Sequence, residues 1–343
     1  MSLTSLTEQL RSHENLNSDD IRLACDFLLD ESNTVAERAG FLHALQAKGE
    51  TAEEIAGFVH VLLSRANTVP FSGEGCLDVC GTGGDKAGFF NVSTAVMFVV
   101  AACGARVVKH GNRGITSRSG GADVLEALGV RIEQSPEIAA LALEQAGCCF
   151  LFAPFYHPAF RAVVAVRKVL AEQGIPTIFN KLGPLLNPAR PSFQLAGVFD
   201  ATLVTTYAEV FRLLGRSKTW AVHGTSADGL ALDEISPFGV TYVQQQIGCE
   251  LAAFKLAPAD FGIAPVRIED LRGGDAKHNA AIINDLFAGN LRNGARTIVQ
   301  INAAAALVVA GIASTLAEGV HRAGQALDDG SARDVLLRLQ SIA

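Results

Sequence analysis

Between residues 76 and 128 an apolar run, a glycine-rich loop and a helical stretch occur twice in succession, and this rhythm restricts the fold more than any other feature. The run 76–80 ends in Gly81-Thr-Gly-Gly-Asp85. A stretch of helical character follows over 93–103, then strand-like residues 106–109, the polar loop 110–121 and a helix over 122–128. Strand, loop and helix in repetition mark a largely parallel sheet with helices packed on it. Further strands are expected at 149–152, 177–179, 193–198, 219–222, 240–243 and 297–300, with helices near 159–172, 202–214, 278–288 and 302–318.

Residues 1–70 have a different texture, with three helices and no strand expected. Ser18 before Asp19 and Asp20 marks one start, and Thr34 with Glu37 and Thr51 with Glu54 form capping-box pairs. The expected fold class is α/β: a small all-helical domain over 1–70, completed by helices near 159–190, beside a large α/β domain over 74–343 with a largely parallel central sheet.

Composition narrows the class of function. Of 343 residues, 49% are apolar and 18% charged, enough for a buried core and incompatible with general disorder. A formal charge of −7 counts against a general nucleic-acid or membrane-surface binder. The seven cysteines include no CxxC pair and no Cys/His cluster with zinc spacing, which reads as free thiols in a reducing compartment. The start MSLTSLTEQL has neither a basic start nor an apolar core. The most apolar stretch, 298–313, includes Gln300 and Asn302 and falls short of the roughly 18 residues a membrane span needs. A cytoplasmic protein is expected, with no membrane partner.

Chemistry gathers at the loops. Gly81-Thr-Gly-Gly-Asp85 lies between a strand and a helix, where backbone N–H groups can face an anion and glycines let phosphates approach. It is neither GxxxxGK[ST] nor GxGxxG, so nucleoside-triphosphate and dinucleotide readings lack their fingerprints. Asn91-Val-Ser-Thr94 sets three hydrogen-bonding side chains at a helix head, more than capping requires. Lys109-His-Gly-Asn-Arg113 and Thr116-Ser-Arg-Ser119 mix cations, hydroxyls and glycines in a pattern suited to phosphate or pyrophosphate. Asp233-Glu234 supplies the hard oxygen ligands that Mg²⁺ prefers. Arg167 follows Tyr156-His-Pro158 on a helix and offers a guanidinium to a carboxylate. Taken singly, each has a plainer explanation: a tight turn, a cap, a solvated basic loop, a surface acid pair, a solvated arginine. The two glycine loops, however, follow adjacent strands and would meet at the carboxyl edge of the sheet, where open α/β sheets bind ligands.

In their order, GTGGD, NVST, KHGNR with SRSG, ADVLEALGV, APFYHPAF, TIFNKLGPLLNP and LDEIS resemble the anthranilate phosphoribosyltransferase family of tryptophan biosynthesis, over about residues 3–335. The resemblance implies a nucleoside phosphorylase/phosphoribosyltransferase-like fold and a homodimer formed through the helical domain. It also implies Mg²⁺-dependent transfer of phosphoribosyl from phosphoribosyl pyrophosphate to anthranilate. Matched by position, Gly81, Gly84, Asp85, Phe89, Asn91, Val92, Ser93, Thr94 and Lys109 correspond to the phosphoribosyl pyrophosphate site. The loop His110, Gly111, Asn112, Arg113, Gly114, Ile115, Thr116 and Ser117, with Gly121, completes it. Ser93, Asp233 and Glu234 correspond to ligands of two magnesium ions. Gly81, Asn112 and Arg167 correspond to anthranilate contacts, with Tyr156 and His157 beside the approach path. The family uses no covalent nucleophile, and Lys109, Asn112 and Arg167 position the reactants.

The sequence departs from the family at Phe89 and Phe90, where a hydroxyl is usual at the first position. It departs again at Gly121 in place of serine, at Pro176 in place of arginine with a short insertion over 171–176, and in a longer loop between His223 and Asp233. Two other readings share some of these features: a nucleic-acid-binding relative without transferase activity, and pyrimidine nucleoside phosphorylase. The acidic charge, KHGNR and the acid pair count against the first; the absent lysine–serine base-binding motif counts against the second.

Overall fold

A computed structural model describes residues 2–83, 87–114, 118–226, 228–264 and 266–342. The amino-terminal helices all open on side-chain caps: α1 (Leu3–Arg11) on Ser2, α2 (Ser18–Leu29) on Asn17, α3 (Val35–Lys48) on Thr34 and α4 (Ala52–Ser64) on Thr51. Both expected capping boxes are present, but this segment holds four helices, not three. α1 escaped notice because it is short and polar, showing its apolar stripe only at Leu3, Leu6 and Leu10. The start of α2 lies one residue earlier than expected, since the Asn17 Oδ1 accepts from the amides of Asp19 at 2.9 Å and Asp20 at 3.0 Å.

The rest of the chain runs β1 (Cys76–Gly81), α5 (Val92–Ala102), β2 (Arg106–Gly111), α6 (Gly121–Ala127), α7 (Pro136–Ala146), β3 (Cys148–Phe152), α8 (Ala153–Tyr156), α9 (Val164–Glu172) and α10 (Phe179–Leu182). It continues through β4 (Phe193–Gly197), α11 (Leu203–Leu213), β5 (Lys218–Thr225), β6 (Ala231–Leu232), β7 (Thr241–Ile247), β8 (Glu250–Leu256), α12 (Ala276–Phe287), α13 (Gly294–Val309), α14 (Leu316–Asp328) and α15 (Ser331–Ser341). The eight-stranded sheet has the order β3-β2-β1-β4-β5-β7-β8, with β6 paired to β5. From β3 to β5 all pairings are parallel; β6, β7 and β8 join antiparallel. The chain winds one way from β1 to β3 and the other way from β4 to β5. The reversal of strand order therefore falls between β1 and β4, the switch point where a crevice opens at the carboxyl ends.

Three expectations need correction. Residues 177–179 form no strand, because the Asn180 side chain accepts from the Thr177 amide at 2.9 Å and turns the chain into α10. Residues 297–300 lie inside α13, since a short buried apolar run has the same appearance in a helix as in a strand. The helix expected over 302–318 is two helices, broken at Gly311 with φ 71°. Sequence reading also passed over β6, β8, α7 and α15.

Two cores result. One fills the space around the sheet, α5 and α13. The other joins α1–α4 to Val166 and Leu170 of α9, Phe179 and Leu182 of α10, and Tyr207 and Phe211 of α11. Polar ties reinforce this junction: Arg38 donates to the Ala162 carbonyl at 2.8 Å, and Lys181 pairs with Glu50 at 2.6 Å. All seven cysteines are free, and no described helix is long and apolar enough to cross a membrane.

Glu54 is the polar anchor of the helical unit. Fully buried, it accepts from the Leu16 amide at 2.9 Å, the Thr51 amide at 2.9 Å and Lys48 at 2.8 Å. Removing one partner of a buried pair strands the other charge, so Glu54→Ala should destabilise the protein by about 3 to 5 kcal/mol in denaturant titration. A loss typical of a surface pair, below about 1 kcal/mol, would contradict this role.

Candidate active site

The switch point is covered by the segment that carries Asp233 and Glu234. This segment lies across three strands at positions where each has a glycine. A methyl group at Gly81, the end of β1, would come 2.5 Å from the Asp233 Oδ2. One at Gly197, the end of β4, would collide with the Asp233 carbonyl oxygen, and one at Gly224 of β5 with that of Glu234. Gly81 and Gly197 are direct partners in the parallel ladder. Only glycine allows a backbone to rest on another backbone this closely. Gly197 and Gly224 were missed in the sequence; the available signal was a glycine ending each of three apolar runs.

The two carboxylates face different neighbours. Asp233 Oδ2 accepts from the Gly83 amide at 2.9 Å, so it stands against the first glycine loop. Glu234 and Ser93 line one small cavity, together with Gly197 and Asn302. Ser93 in turn accepts from Lys109 at 3.1 Å. Two carboxylates and a hydroxyl form an all-oxygen set, and Mg²⁺ is commonly held by one or two carboxylates with the remaining positions left to substrate oxygens and water. The residues present fit that ion.

Lys109 is buried, its ammonium also donating to the Val79 carbonyl. Beneath it, Asp78 is fully buried on β1 and accepts from Asn187 at 2.9 Å, while the same Asn187 amide donates to the Val108 carbonyl at 2.7 Å. Burial raises the Asp78 carboxyl to about 6, and the positive charge of Lys109 works against that rise. Asn187 belongs to the TIFNKLGPLLNP motif, whose part here is to brace β1 and β2 from below.

The helix-head residues divide their work. Asn91 makes no side-chain cap on α5; its amide donates to the Ser119 carbonyl at 3.1 Å, and its oxygen accepts from Asn279 at 2.8 Å. Asn91 thus ties the first loop to the second and to α12. Val92 is buried in the core. The Thr94 hydroxyl is buried with no hydrogen-bond partner among the described residues, and a methyl at Gly121 would sit 3.3 Å from it. The absence of a serine side chain at Gly121 thus falls beside a hydroxyl that lacks a partner. Phe89 packs its ring against Phe238 at 6.2 Å and bridges Arg272 through its backbone, so the aromatic departure fastens the first loop to the segment after Glu234. The longer loop before Asp233 closes on itself, the Ser226 hydroxyl accepting from the Leu230 amide at 2.9 Å.

In the second loop Gly111 ends β2, and the exposed Asn112 accepts from the Arg113 amide at 2.7 Å. Asp123 gathers the amides of Gly114 and Gly120, each at 2.8 Å. The Arg113 guanidinium is committed to Glu126 and to Asp123, the latter at 3.3 Å, so this cation is tied to α6. Gly84, Asp85, Ile115, Thr116 and Ser117 lie outside the described residues.

His110 and His157 meet edge-on with centroids 5.3 Å apart. His157 contacts the Leu186 carbonyl at 2.7 Å and stacks on Phe160; His110 contacts the Gly183 carbonyl at 3.3 Å. Tyr156 is buried beside them in sequence. Arg167 is half-buried with its guanidinium 5.6 Å over the Phe179 ring, and burial lowers its pKa. It has no hydrogen bond or ion pair among the described residues, an unusual condition for a half-buried arginine and a ready site for an anion. A roomier cleft of about 560 Å³, with Asn67, Glu74 and Arg190 on its walls, opens elsewhere. It has neither the strand-end loops nor the paired carboxylates.

Fold and site together define a two-domain glycosyl transferase. Residues 73–333 match the glycosyl transferase family a/b domain, and residues 4–66 match the helical bundle domain of the same family. An anthranilate phosphoribosyltransferase of Methylobacterium nodulans is 46% identical over 328 residues, covering 96% of this chain and 95% of that protein. Its counterpart in Agrobacterium fabrum is 42% identical over 342 residues, covering 99% and 97%. The crystal structure of the anthranilate phosphoribosyltransferase of Thermus thermophilus superposes with a TM-score of 0.88 at 35% identity, covering 98% of each chain. The Saccharomyces cerevisiae protein, solved in complex with PRPP and Mg, gives 0.86 at 29% identity, covering 98% and 96%. The chain belongs to the anthranilate phosphoribosyltransferase family.

Burial, reinforced by the neighbouring His157, lowers the pKa of His110 from 6.5 to about 3. The unfolded chain then binds a proton that the folded one does not, so this stability is complete above pH 6.5 and is lost as pH falls toward 3. Near pH 5 the loss should amount to about 2 kcal/mol, and His110→Gln should flatten the dependence of Tm on pH. Parallel curves for the two proteins would show that His110 is not the group responsible.

Proposed function

We propose that this chain catalyses Mg²⁺-dependent transfer of the phosphoribosyl group from phosphoribosyl pyrophosphate to the amine of anthranilate, releasing pyrophosphate, in tryptophan biosynthesis. The observation that carries the reading is the seating of Asp233 and Glu234 on the strand-end glycines, between two glycine loops at the switch point. The relatives bear this activity in their names, and the Saccharomyces cerevisiae protein has been solved with PRPP and Mg and with 4-fluoroanthranilate.

On this reading the diphosphate lies between the two loops, held by backbone amides near the start of α5, with Asn91 locking the loops together. Asp233 at Gly83, and Glu234 with Ser93, form two groups of oxygen donors, and two magnesium ions suit them. When bound, the metal neutralises charge building on the departing pyrophosphate. Lys109 fixes Ser93 and adds positive potential from below. Arg167 takes the anthranilate carboxylate, and Asn112 lies on the loop that faces the acceptor. No side chain attacks the sugar. The amine displaces pyrophosphate at C1′ as that carbon gains oxocarbenium character, so catalysis consists of positioning and electrostatic stabilisation. The helical domain extends over 1–70 with 159–190, and pairs two copies into a cytoplasmic homodimer.

Anthranilate fluorescence should fall when protein, phosphoribosyl pyrophosphate and Mg²⁺ are combined, and persist when any one is omitted. Persistence in the complete mixture would overturn the proposal. Arg167→Ala should raise the KM for anthranilate about tenfold or more, and that for phosphoribosyl pyrophosphate far less, because a charge-assisted contact is worth about 1.5 to 3 kcal/mol. Equal effects on both substrates would remove Arg167 from the acceptor site.

A further inference from the structure

The interior of α13 is an apolar place for an amide. Ile301, Ala303, Ala304, Ala305 and Ala306 are fully buried, and Asn302 among them is 1% exposed. Asparagine is a weak helix former, and a buried amide without partners is strongly disfavoured. Asn302 has partners of a particular kind. Its Oδ1 accepts from the Ile235 amide at 2.9 Å, and its Nδ2 donates to the Ile235 carbonyl at 3.3 Å and to the Ile298 carbonyl at 2.9 Å.

One side chain therefore grips both polar groups of the residue that immediately follows Glu234. The same segment rests on Gly81, Gly197 and Gly224, so the Asn302 grip adds to a backbone seat already close to the strands. Asn302 also lines the small cavity shared by Ser93 and Glu234. An apolar residue would fill the same place in the helix but could not hold this backbone. We propose that Asn302 is a positioning residue that fixes the strip carrying Asp233 and Glu234, and so sets how tightly the protein holds Mg²⁺ with its diphosphate substrate. This rests on the reading of those carboxylates as metal ligands.

The test compares wild type, Asn302→Ala, Asn302→Ser and Asp233→Asn in two measurements: calorimetric binding of phosphoribosyl pyrophosphate over a series of Mg²⁺ concentrations, and the Mg²⁺ dependence of turnover. With the clamp removed, the half-saturating Mg²⁺ concentration should rise about tenfold in both, the equivalent of one to two net hydrogen bonds. The kcat at saturating Mg²⁺ should stay within about twofold, since the carboxylates themselves remain. A variant with lowered Tm and an unchanged Mg²⁺ requirement would overturn the proposal and leave Asn302 as a helix-packing residue. Should Asn302→Ala not fold, Asn302→Ser decides by the same criteria, its hydroxyl able to bond the preceding turn of the helix but too short to grip Ile235 from both sides. If Asp233→Asn also leaves the Mg²⁺ requirement unchanged, the metal reading falls; if only the Asn302 variants do, this inference alone falls.

Discussion

The site depends on a contact that only glycine permits. The peptide of Asp233 rests directly on the ends of β1 and β4, and any side chain at Gly197 would occupy the volume of its carbonyl oxygen. Two adjacent carboxylates are expensive to bring to the floor of a crevice, because each resists desolvation and each repels the other. The structure meets that cost with a rigid backbone seat rather than with side-chain partners alone. Glycines lie below the segment, Asn302 holds the peptide of Ile235, and Phe238 continues it into an aromatic contact with Phe89.

The same economy governs the positive side of the site. Lys109 is held in place by a carbonyl and a serine hydroxyl, with Asp78 and Asn187 below it. The ammonium brings positive charge beneath the loops, while Arg113, the conspicuous cation of the second loop, is paired with α6. Arg167, half-buried and without an ion pair among the described residues, stands on α9, whose apolar face packs into the core of the amino-terminal helices.

Much of this was legible in the sequence because its signals are local. A capping box spans four residues, and Thr34 with Glu37 and Thr51 with Glu54 appear as expected. The strand–loop–helix repeat over 76–128 placed both loops at one sheet edge, and the acid pair stood out as adjacent letters. What escaped notice depends on distant partners. Gly197 and Gly224 acquire meaning only from Asp233 and Glu234, which the fold brings onto them. Thr297-Ile-Val-Gln300 has strand-like composition, and its burial in a helix follows from packing that no short window contains. Phe89 looked like a lost hydroxyl, and Phe238, its ring partner, lies far along the chain.

The glycine seat can be tested with a single methyl group. Gly197→Ala should fold, since the β4 pairings need no glycine, but the added carbon must push the Asp233 peptide off the sheet. A misplacement near 1 Å at a reacting site costs about 100-fold in rate. Turnover of phosphoribosyl pyrophosphate and anthranilate with Mg²⁺ should therefore fall at least that far, in a protein whose circular dichroism matches wild type. Wild-type turnover in Gly197→Ala would contradict the account, because the carboxylates would then work without the seat on which they rest.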